Sequence, residues 1–406
     1  MPRELAGLPE GTRLTDYISL GVIAGAVPKA KVMQVLKETG RESIRQRELP
    51  AHVMVYYTIA LALYMQSSYR EILRCLQEGL RWLFGEEQTG KPAAKSAIAQ
   101  ARHRLGVEPL RRLYGDLVKP IALDRTRGSR YRGWRLVSLD GSTLDVADTV
   151  ENEDAFGRPG SGKVGGPYPQ LRLVSLVENG THVLFGANFG PYRKSEIELA
   201  RGSLSWLKKG MLCMADRYYF GYEFWNEAAA TGADLLWRIK KNLILPCMKR
   251  LPDGSYLSRI YPSAKDRDDD RNGVPVRVIE YRLEGTEKAE PIYRLLTTIL
   301  SPEMAPAEEL ASLYRERWEI ENSLDEFKSH LRGARIVLRS KTPDGVAQEL
   351  YGLLLAHFAI RGLMHEAALE ADIDPDRLSF LHTVRIVRRK LPLFVATPPG
   401  AEEKVS

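Results

Sequence analysis

The sequence predicts a mixed α/β chain, in which an all-α N-terminal part precedes a strand-rich domain closed by a carboxylate-bearing helix. Three observations carry this reading. Apolar residues recur close to every 3.6 positions up to about residue 122, and short β-rich runs take over near residue 134. The stretch from Tyr314 to Lys328 then divides around a helical wheel into three faces of different chemistry.

In the first part, the periodicity predicts helices over Ile18–Val27, Ala30–Glu38, His52–Met65, Tyr69–Phe84, Ala94–Leu105 and Pro109–Ala122. Pro28, Gly40, Pro50, Gly85, Gly90, Pro92 and Gly106 punctuate them. The helix from Ser96 ends on Arg102, His103 and Arg104 beside Gly106. Basic residues so placed suit a DNA groove, and equally the basic C-terminal end of an ordinary bundle helix.

Strands are predicted over Trp134–Leu139, Leu171–Val177, His182–Phe189, Met211–Ala215 and Leu235–Ile239, with Glu178-Asn-Gly-Thr181 as a hairpin turn. Helices over Ser195–Lys208 and Tyr222–Ala230 fall between the later strands. The order β-β-β-α-β-α-β, closed by a helix bearing a carboxylate, is the pattern of an RNase-H-like fold.

A β-rich insertion, residues 240–302, precedes that last helix. It holds a hairpin signal at Leu251-Pro-Asp-Gly-Ser-Tyr-Leu257 and strands over Val274–Leu283 and Ile292–Leu300. The charged run Asp266–Asn272 is expected to be a solvated loop. Beyond that last helix, Gln348–Ala368 reads as a long apolar helix whose His357 and His365 are expected to be packed or solvated rather than ligands. The expected division is 1–125 as a helical, DNA-end-binding domain, 126–239 with 303–345 as the RNase-H-like domain, 240–302 as the insertion, and 346–406 as a C-terminal helical region.

The 406 residues can bury two or three cores. A net charge of +7 favours a polyanionic partner. Basic residues gather at Arg125, Arg127, Arg130, Arg132 and Arg135, and again at Arg385, Arg388, Arg389 and Lys390, which suits a polyanion and equally a solvated surface. Cys75, Cys213 and Cys247 stand too far apart for a disulfide framework or zinc spacing, which fits a reducing cytoplasm. Arg3, Glu4 and Glu10 interrupt any secretory signal, and Val53–Met65 is too short to span a bilayer. The expected location is the cytoplasm, with no membrane role.

The chemistry concentrates in three places. At ~100° per residue, Tyr314, Arg317, Glu321 and Lys328 fall within an arc of about 60°, bordering the apolar stripe of Leu313, Ile320, Leu324, Phe327 and Leu331. A phenol, a guanidinium, a carboxylate and an ammonium beside a buried seam suit a phosphate and a metal. Asp140 closes the apolar strand from Trp134, and Asp216 closes the strand from Met211. Each has an ordinary alternative, since Asp-Gly is a common turn and Asp216 is placed to cap the next helix.

Tyr, two residues, Arg, three residues, Glu, six residues, Lys resembles the signature of the insertion-sequence-four family of DDE transposases, matched here by Tyr314, Arg317, Glu321 and Lys328. The resemblance runs from about Leu14 to Lys390 and includes the helical N-terminal domain and the β insertion. One departure is Asp216-Arg-Tyr-Tyr-Phe220, where many relatives place glycine and phenylalanine closer behind the aspartate. The resemblance implies that Asp140, Asp216 and Glu321 are the catalytic triad and metal ligands. Hard carboxylate oxygens suit Mg²⁺ or Mn²⁺, two ions per active site, with Asp140 bridging them. It also implies that Tyr314, Arg317 and Lys328 contact DNA phosphates, and that an aromatic residue stacks on a flipped base, for which Trp237 is the candidate. Cut-and-paste transposition of double-stranded DNA through an end hairpin, by a homodimer assembled on the DNA, is the implied activity. The family being bacterial, the implied location is the nucleoid.

Gly157-Arg-Pro-Gly-Ser-Gly-Lys163-Val164 nearly spells a nucleotide-binding loop but lacks the Ser or Thr that holds magnesium, so NTP hydrolysis is rejected. Arg158 and Lys163 are expected on a basic loop near DNA, as are Arg102 and Arg104 on their helix. Two other readings stand beside the enzyme: a catalytically inert DNA-binding relative acting as regulator or inhibitor, and a stand-alone RNase-H-like nuclease. The insertion and the helical domain are surplus to the latter.

Overall fold

The computed structural model describes residues 15–43, 49–65, 67–73, 76, 93–160, 166–282, 292–331 and 337–389. Helices α1 (Thr15–Ala26), α2 (Lys29–Glu38), α3 (Ala51–Leu63), α4 (Lys95–Leu105) and α5 (Glu108–Leu117) make the first part. Pro28 and Pro50 stand at the starts of α2 and α3, where a missing N–H costs nothing. From Val53 to Leu63, α3 is buried on every side, as its largely apolar sequence requires, and the one hydroxyl of a threonine within it, Thr58, donates to the Met54 carbonyl at 2.8 Å. The predicted helix Tyr69–Phe84 lies mostly outside the described residues. Helix α5 ends before the predicted Ala122, because Lys119-Pro120 cannot continue it.

The second part follows as β1 (Arg130–Tyr131), β2 (Trp134–Asp145), α6 (Val150–Phe156), β3 (Gln170–Glu178), β4 (Val183–Pro191), α7 (Glu196–Ser203), β5 (Met211–Ala215), α8 (Tyr222–Ala229) and β6 (Asp234–Arg238). Spatial order is β4-β3-β2-β5-β6. β2, β3 and β4 are antiparallel neighbours, while β5 runs parallel to both β2 and β6. That arrangement is an RNase-H-like core.

The insertion supplies β7 (Lys249–Arg250), β8 (Tyr256–Ile260), α9 (Ala264–Asp268), β9 (Val274–Tyr281) and β10 (Tyr293–Thr297). Its strands extend the same sheet: β10 pairs antiparallel with β6, and β9, β8 and β7 follow in order. α9 corrects the expectation of an irregular loop at 266–272, because Ser263 caps a short helix there, accepting from the Asp266 N–H. In the predicted hairpin, the Asp253 carboxylate pairs with the fully buried Arg277 of β9 and accepts from the Ala307 N–H at 2.8 Å. The insertion is thereby tied to α10 (Ala307–Leu313), which leads into the signature segment.

Strand alternation sorts the central residues onto two faces. Val137, Leu139, Cys213, Ala215, Leu235 and Trp237 enter the larger core. Leu136, Leu212, Met214 and Leu236 enter a second core with Ile279, Leu295, Leu310, Leu313 and Tyr314. The sheet is therefore covered on both sides.

Helix α12 (Pro343–Glu370) is longer than predicted at both ends, with Thr342 capping it. It crosses α3 so closely that a Cβ on Gly352 would stand 2.5 Å from the Thr58 carbonyl oxygen. Gly352→Ala is accordingly expected to lower unfolding free energy by about 3 kcal/mol, the upper range for overpacking a core. A urea melt with an unshifted midpoint would contradict the crossing.

Candidate active site

In parallel strands, residues paired in register point to the same face. Leu139 pairs with Ala215, and Ala215 with Trp237. One step on, Asp140, Asp216 and Arg238 form a row on the face of the second core, at the C-terminal ends of β5 and β6. Asp140 accepts from the Gly141 N–H at 2.8 Å, and Asp216 from the Arg217 N–H at 2.5 Å.

The signature segment covers that row, but not as one regular helix. Tyr314–Trp318 is a 3₁₀ turn, α11 (Glu319–Asp325) follows, and Glu326–Leu331 is a π-helical turn. Residues three apart eclipse in a 3₁₀ helix. Tyr314 and Arg317 accordingly share a face, the guanidinium carbon 5.8 Å from the centre of the phenol ring. The buried Tyr314 hydroxyl donates to the Ala215 carbonyl at 3.1 Å, fixing the residue just before Asp216.

Arg317 is the centre of the arrangement. Its Nη1 lies 3.6 Å from Asp140 Oδ2, and its Nη2 donates to Glu321 Oε1 at 3.1 Å. Burial opposes its charge, but Tyr314, Asp140, Asp216 and Glu321 together outweigh burial and raise its pKa. Burial also pushes the Asp140 carboxyl up to about 6, with Glu196 and Asp216 adding to the rise and the Gly141 N–H and Arg317 opposing it. The Glu321 side chain is 46% exposed and has room to move.

These positions bring Asp140, Asp216, Tyr314, Arg317 and Glu321 together. Lys328 is half-buried on the π turn of the same segment. That turn departs from the α-helical wheel, so the 60° arc does not extend unchanged to Lys328. Glu326, at its start, is held by Arg361 of α12, with Arg361 Nε donating at 3.0 Å. Burial would raise Glu326, but the imidazoles of His182 and His357, 3.6 and 3.9 Å away, and the charge of Arg361 hold it well below the usual carboxylate range.

Several expectations are corrected. Trp237 is fully buried against Phe224 and Trp225, so no base can stack on it. Tyr314 commits its hydroxyl to a backbone carbonyl rather than facing a phosphate. Arg102 is a clamp between helices, donating to Gln348, Ser340 and the Gly345 carbonyl. Arg158 pairs with Asp148 and Glu153 and donates to the carbonyls of Gly166 and Pro167, which leaves little of it for DNA. Arg104 is exposed at the end of α4, and Lys163 lies outside the described residues. His357 is buried between Phe327 and Phe380, and His365 shares a 2.8 Å hydrogen bond with Thr126, so both pack as expected.

Sequence reasoning missed Glu196, which lies against Gly141. Its only signal is the glycine after Asp140.

β2 continues to Asp145, so Asp140 lies within its strand and does not close it as expected, while Asp216 directly follows β5. An RNase-H-like domain with carboxylates from two neighbouring strands and a covering helix defines a nuclease or strand-transferase class of protein. The family comparisons narrow it. Residues 17–115 match the insertion element 4 transposase N-terminal domain, and residues 132–359 match the transposase DDE domain. The chain is 30% identical to the Escherichia coli transposase InsG of insertion sequence element IS4, over 96% of this chain and 85% of that protein. It is 24% identical to the putative transposase InsZ of E. coli, over 57% of this chain and 73% of that one. A piggyBac transposase synaptic complex with hairpin DNA overlaps 93% of this chain and 81% of its own, with a TM-score of 0.46 and 10% identity. The chain belongs to the insertion-sequence-four family of DDE transposases, enzymes that cleave DNA with the help of divalent metal. Among the described residues, no helix is long and apolar enough to cross a membrane.

The raised pKa of Asp140 has a consequence for stability. An unfolded aspartate titrates near 3.8, and the folded one near 6. Proton binding therefore favours the folded state; that stabilisation is complete below about pH 3.8 and is lost as pH rises through about 6. In chelator, Asp140→Asn should melt above wild type at pH 8, by about 3 kcal/mol at most, with the gap closing towards pH 4. Calorimetry showing equal melting at pH 8 would refute the buried-charge account.

Proposed function

We propose that this chain is a cut-and-paste transposase, which cleaves phosphodiesters at transposon ends, forms and reopens a DNA hairpin on those ends, and transfers the strands to target DNA. The observation that carries the reading is the junction at Arg317. It joins Asp140, next in register to Asp216, with Glu321 of the covering helix.

The donor set suits a hard divalent cation, Mg²⁺ or Mn²⁺, because all three side chains offer carboxylate oxygen. Among the described residues, no three such groups stand close enough to hold a metal as placed. The guanidinium lies between Asp140 and Glu321. The exposed Glu321 would have to leave Arg317 to join the two aspartates, and the segment allows it because no other bond holds its side chain among those described. Two bound cations would activate the attacking oxygen and stabilise the leaving one.

The chain's own residues do the rest. Asp140, Asp216 and Glu321 would hold the cations. Arg317, released from Glu321, would face the scissile phosphate and offset its charge, with Lys328 on the same segment meeting the backbone beyond. Tyr314 would position the end of β5 through the Ala215 carbonyl. The division into 1–125 for end binding, 126–239 with 303–345 for chemistry, 240–302 as insertion and 346–406 as a helical tail fits this assignment. Assembly as a homodimer on double-stranded DNA belongs to the same reading.

The second reading, an inert DNA-binding relative, draws on one observation: the guanidinium keeps the carboxylates from converging. Duplex DNA carrying the inverted repeats that flank the gene separates the two. Wild type should cut it in Mg²⁺ or Mn²⁺. Asp140→Asn, Asp216→Asn and Glu321→Gln should each lose at least about a thousandfold, or about 4 kcal/mol of transition-state stabilisation, and still shift the DNA in gels. Binding without cutting by wild type would favour the inert reading, and undiminished cutting by Asp140→Asn would remove the assigned site.

A further inference from the structure

A fourth carboxylate reaches the strands that carry Asp140 and Asp216, and the signature gives it no role. Glu196 opens α7, behind Ser195, whose hydroxyl accepts from the Glu198 N–H at 3.1 Å. α7 packs Leu199 and Ala200 into the larger core, so Glu196 comes from the side of the sheet opposite Arg317. Residue 141 lets it approach. A Cβ on Gly141 would stand 2.9 Å from both Cδ and Oε2 of Glu196.

Two further segments grip the same carboxylate. Oε2 accepts from the buried Tyr219 hydroxyl at 3.2 Å, and Tyr219 belongs to the turn after Asp216. Oε1 lies 3.7 Å from Nη1 of Arg172, which stands opposite Thr143 of β2. An acidic residue in the first helical turn can complement the helix dipole from solvent. This one is only 24% exposed and touches β2, β3 and the turn after β5 at once.

We propose that Glu196 is a positioning residue of the catalytic site: through Gly141 and Tyr219 it fixes Asp140 relative to Asp216, and its charge strengthens divalent-cation binding on the Asp140 side. The inference rests on Asp140 and Asp216 being the cation ligands. Groups that orient ligands from behind commonly alter metal affinity by about 10–100-fold when removed. Glu196→Gln keeps an acceptor for Tyr219 and loses only the charge. Glu196→Asp keeps the charge on a shorter arm.

The test is Mn²⁺ binding to the full-length protein without DNA, followed by electron paramagnetic resonance, with thermal melting of each metal-free variant alongside. Glu196→Gln should weaken Mn²⁺ binding about 10-fold with little change in melting, and Glu196→Asp should recover part of the loss. The Mn²⁺ concentration giving half of each variant's own maximal cleavage rate should rise by the same factor. Unchanged Mn²⁺ affinity in Glu196→Gln, where Asp140→Asn abolishes binding, would overturn the role of Glu196 alone. A fall in melting temperature with cleavage that excess Mn²⁺ does not restore would make Glu196 merely structural, and also overturn it. No Mn²⁺ binding by wild type would instead bring down the assignment of the ligands beneath it.

Discussion

Negative charge that cannot reach water freely is the constraint on which this site depends. Asp140 and Asp216 stand side by side because β2 and β5 are parallel and in register, and Glu196 closes on the same corner from behind. Like charges in a half-buried place raise one another's pKa unless a cation intervenes. Arg317 is that cation, between Asp140 and Glu321. It is held where it can serve by a 3₁₀ turn that eclipses it with Tyr314 and by a phenol anchored on the neighbouring strand. The guanidinium offsets the charge of Asp140 and of Glu321, and of these two carboxylates Glu321 is the more exposed, at 46%.

The insertion bears on the same constraint from the far end of the sheet. Because β10 adds directly to β6, the sheet continues past Arg238, and Ile279 and Leu295 join Met214 and Leu236 under α10. Asp253 then ties the insertion hairpin to the first turn of α10. The segment that presents Arg317 and Glu321 thus leaves a platform built half from the core strands and half from the insertion. A β insertion at this point of the chain widens the surface that supports the covering helix.

Much of the site is legible in the sequence. Asp140 and Asp216 each have an ordinary reading taken alone, as a turn residue and a helix cap, and the family resemblance groups them. β2 runs on to Asp145, so Asp140 lies within its strand, and the parallel register with β5 is what brings the two together. Tyr314 and Arg317 can be grouped because spacing of three shares a face in a 3₁₀ turn even more closely than in an α-helix. Lys328 is less legible, since a π turn carries no periodic signature and rotates the later residues away from their α-helical positions. Trp237 is misread because strand position alone does not tell which face of the sheet is covered; α8 buries it with Phe224 and Trp225. Arg102 and Arg158 show the limit of reading charge along a chain. Their partners, Gln348 and Ser340 for one and Asp148 and Glu153 for the other, are supplied by the fold. Glu196 stays hidden because an acid behind a serine cap looks like ordinary helix chemistry.

The long helix α12 links the two halves through contacts of different kinds. Near its first third, Gly352 lets it touch the backbone of α3, so the helical N-terminal layer and α12 can hardly slide against each other. Two turns on, Arg361 holds Glu326 at the start of the π turn that carries Lys328. The pair is almost wholly buried, at 2% and 13% exposure, and breaking such a pair by removing one partner costs about 3–5 kcal/mol. His182, which adopts a left-handed backbone at φ +59°, completes the grip from the β3–β4 turn. The π turn is therefore fixed against the N-terminal layer through one rigid helix, while Glu321, a single turn earlier, keeps an exposed side chain with one named partner. Glu321 thus keeps the freedom that its proposed role in holding the cations requires.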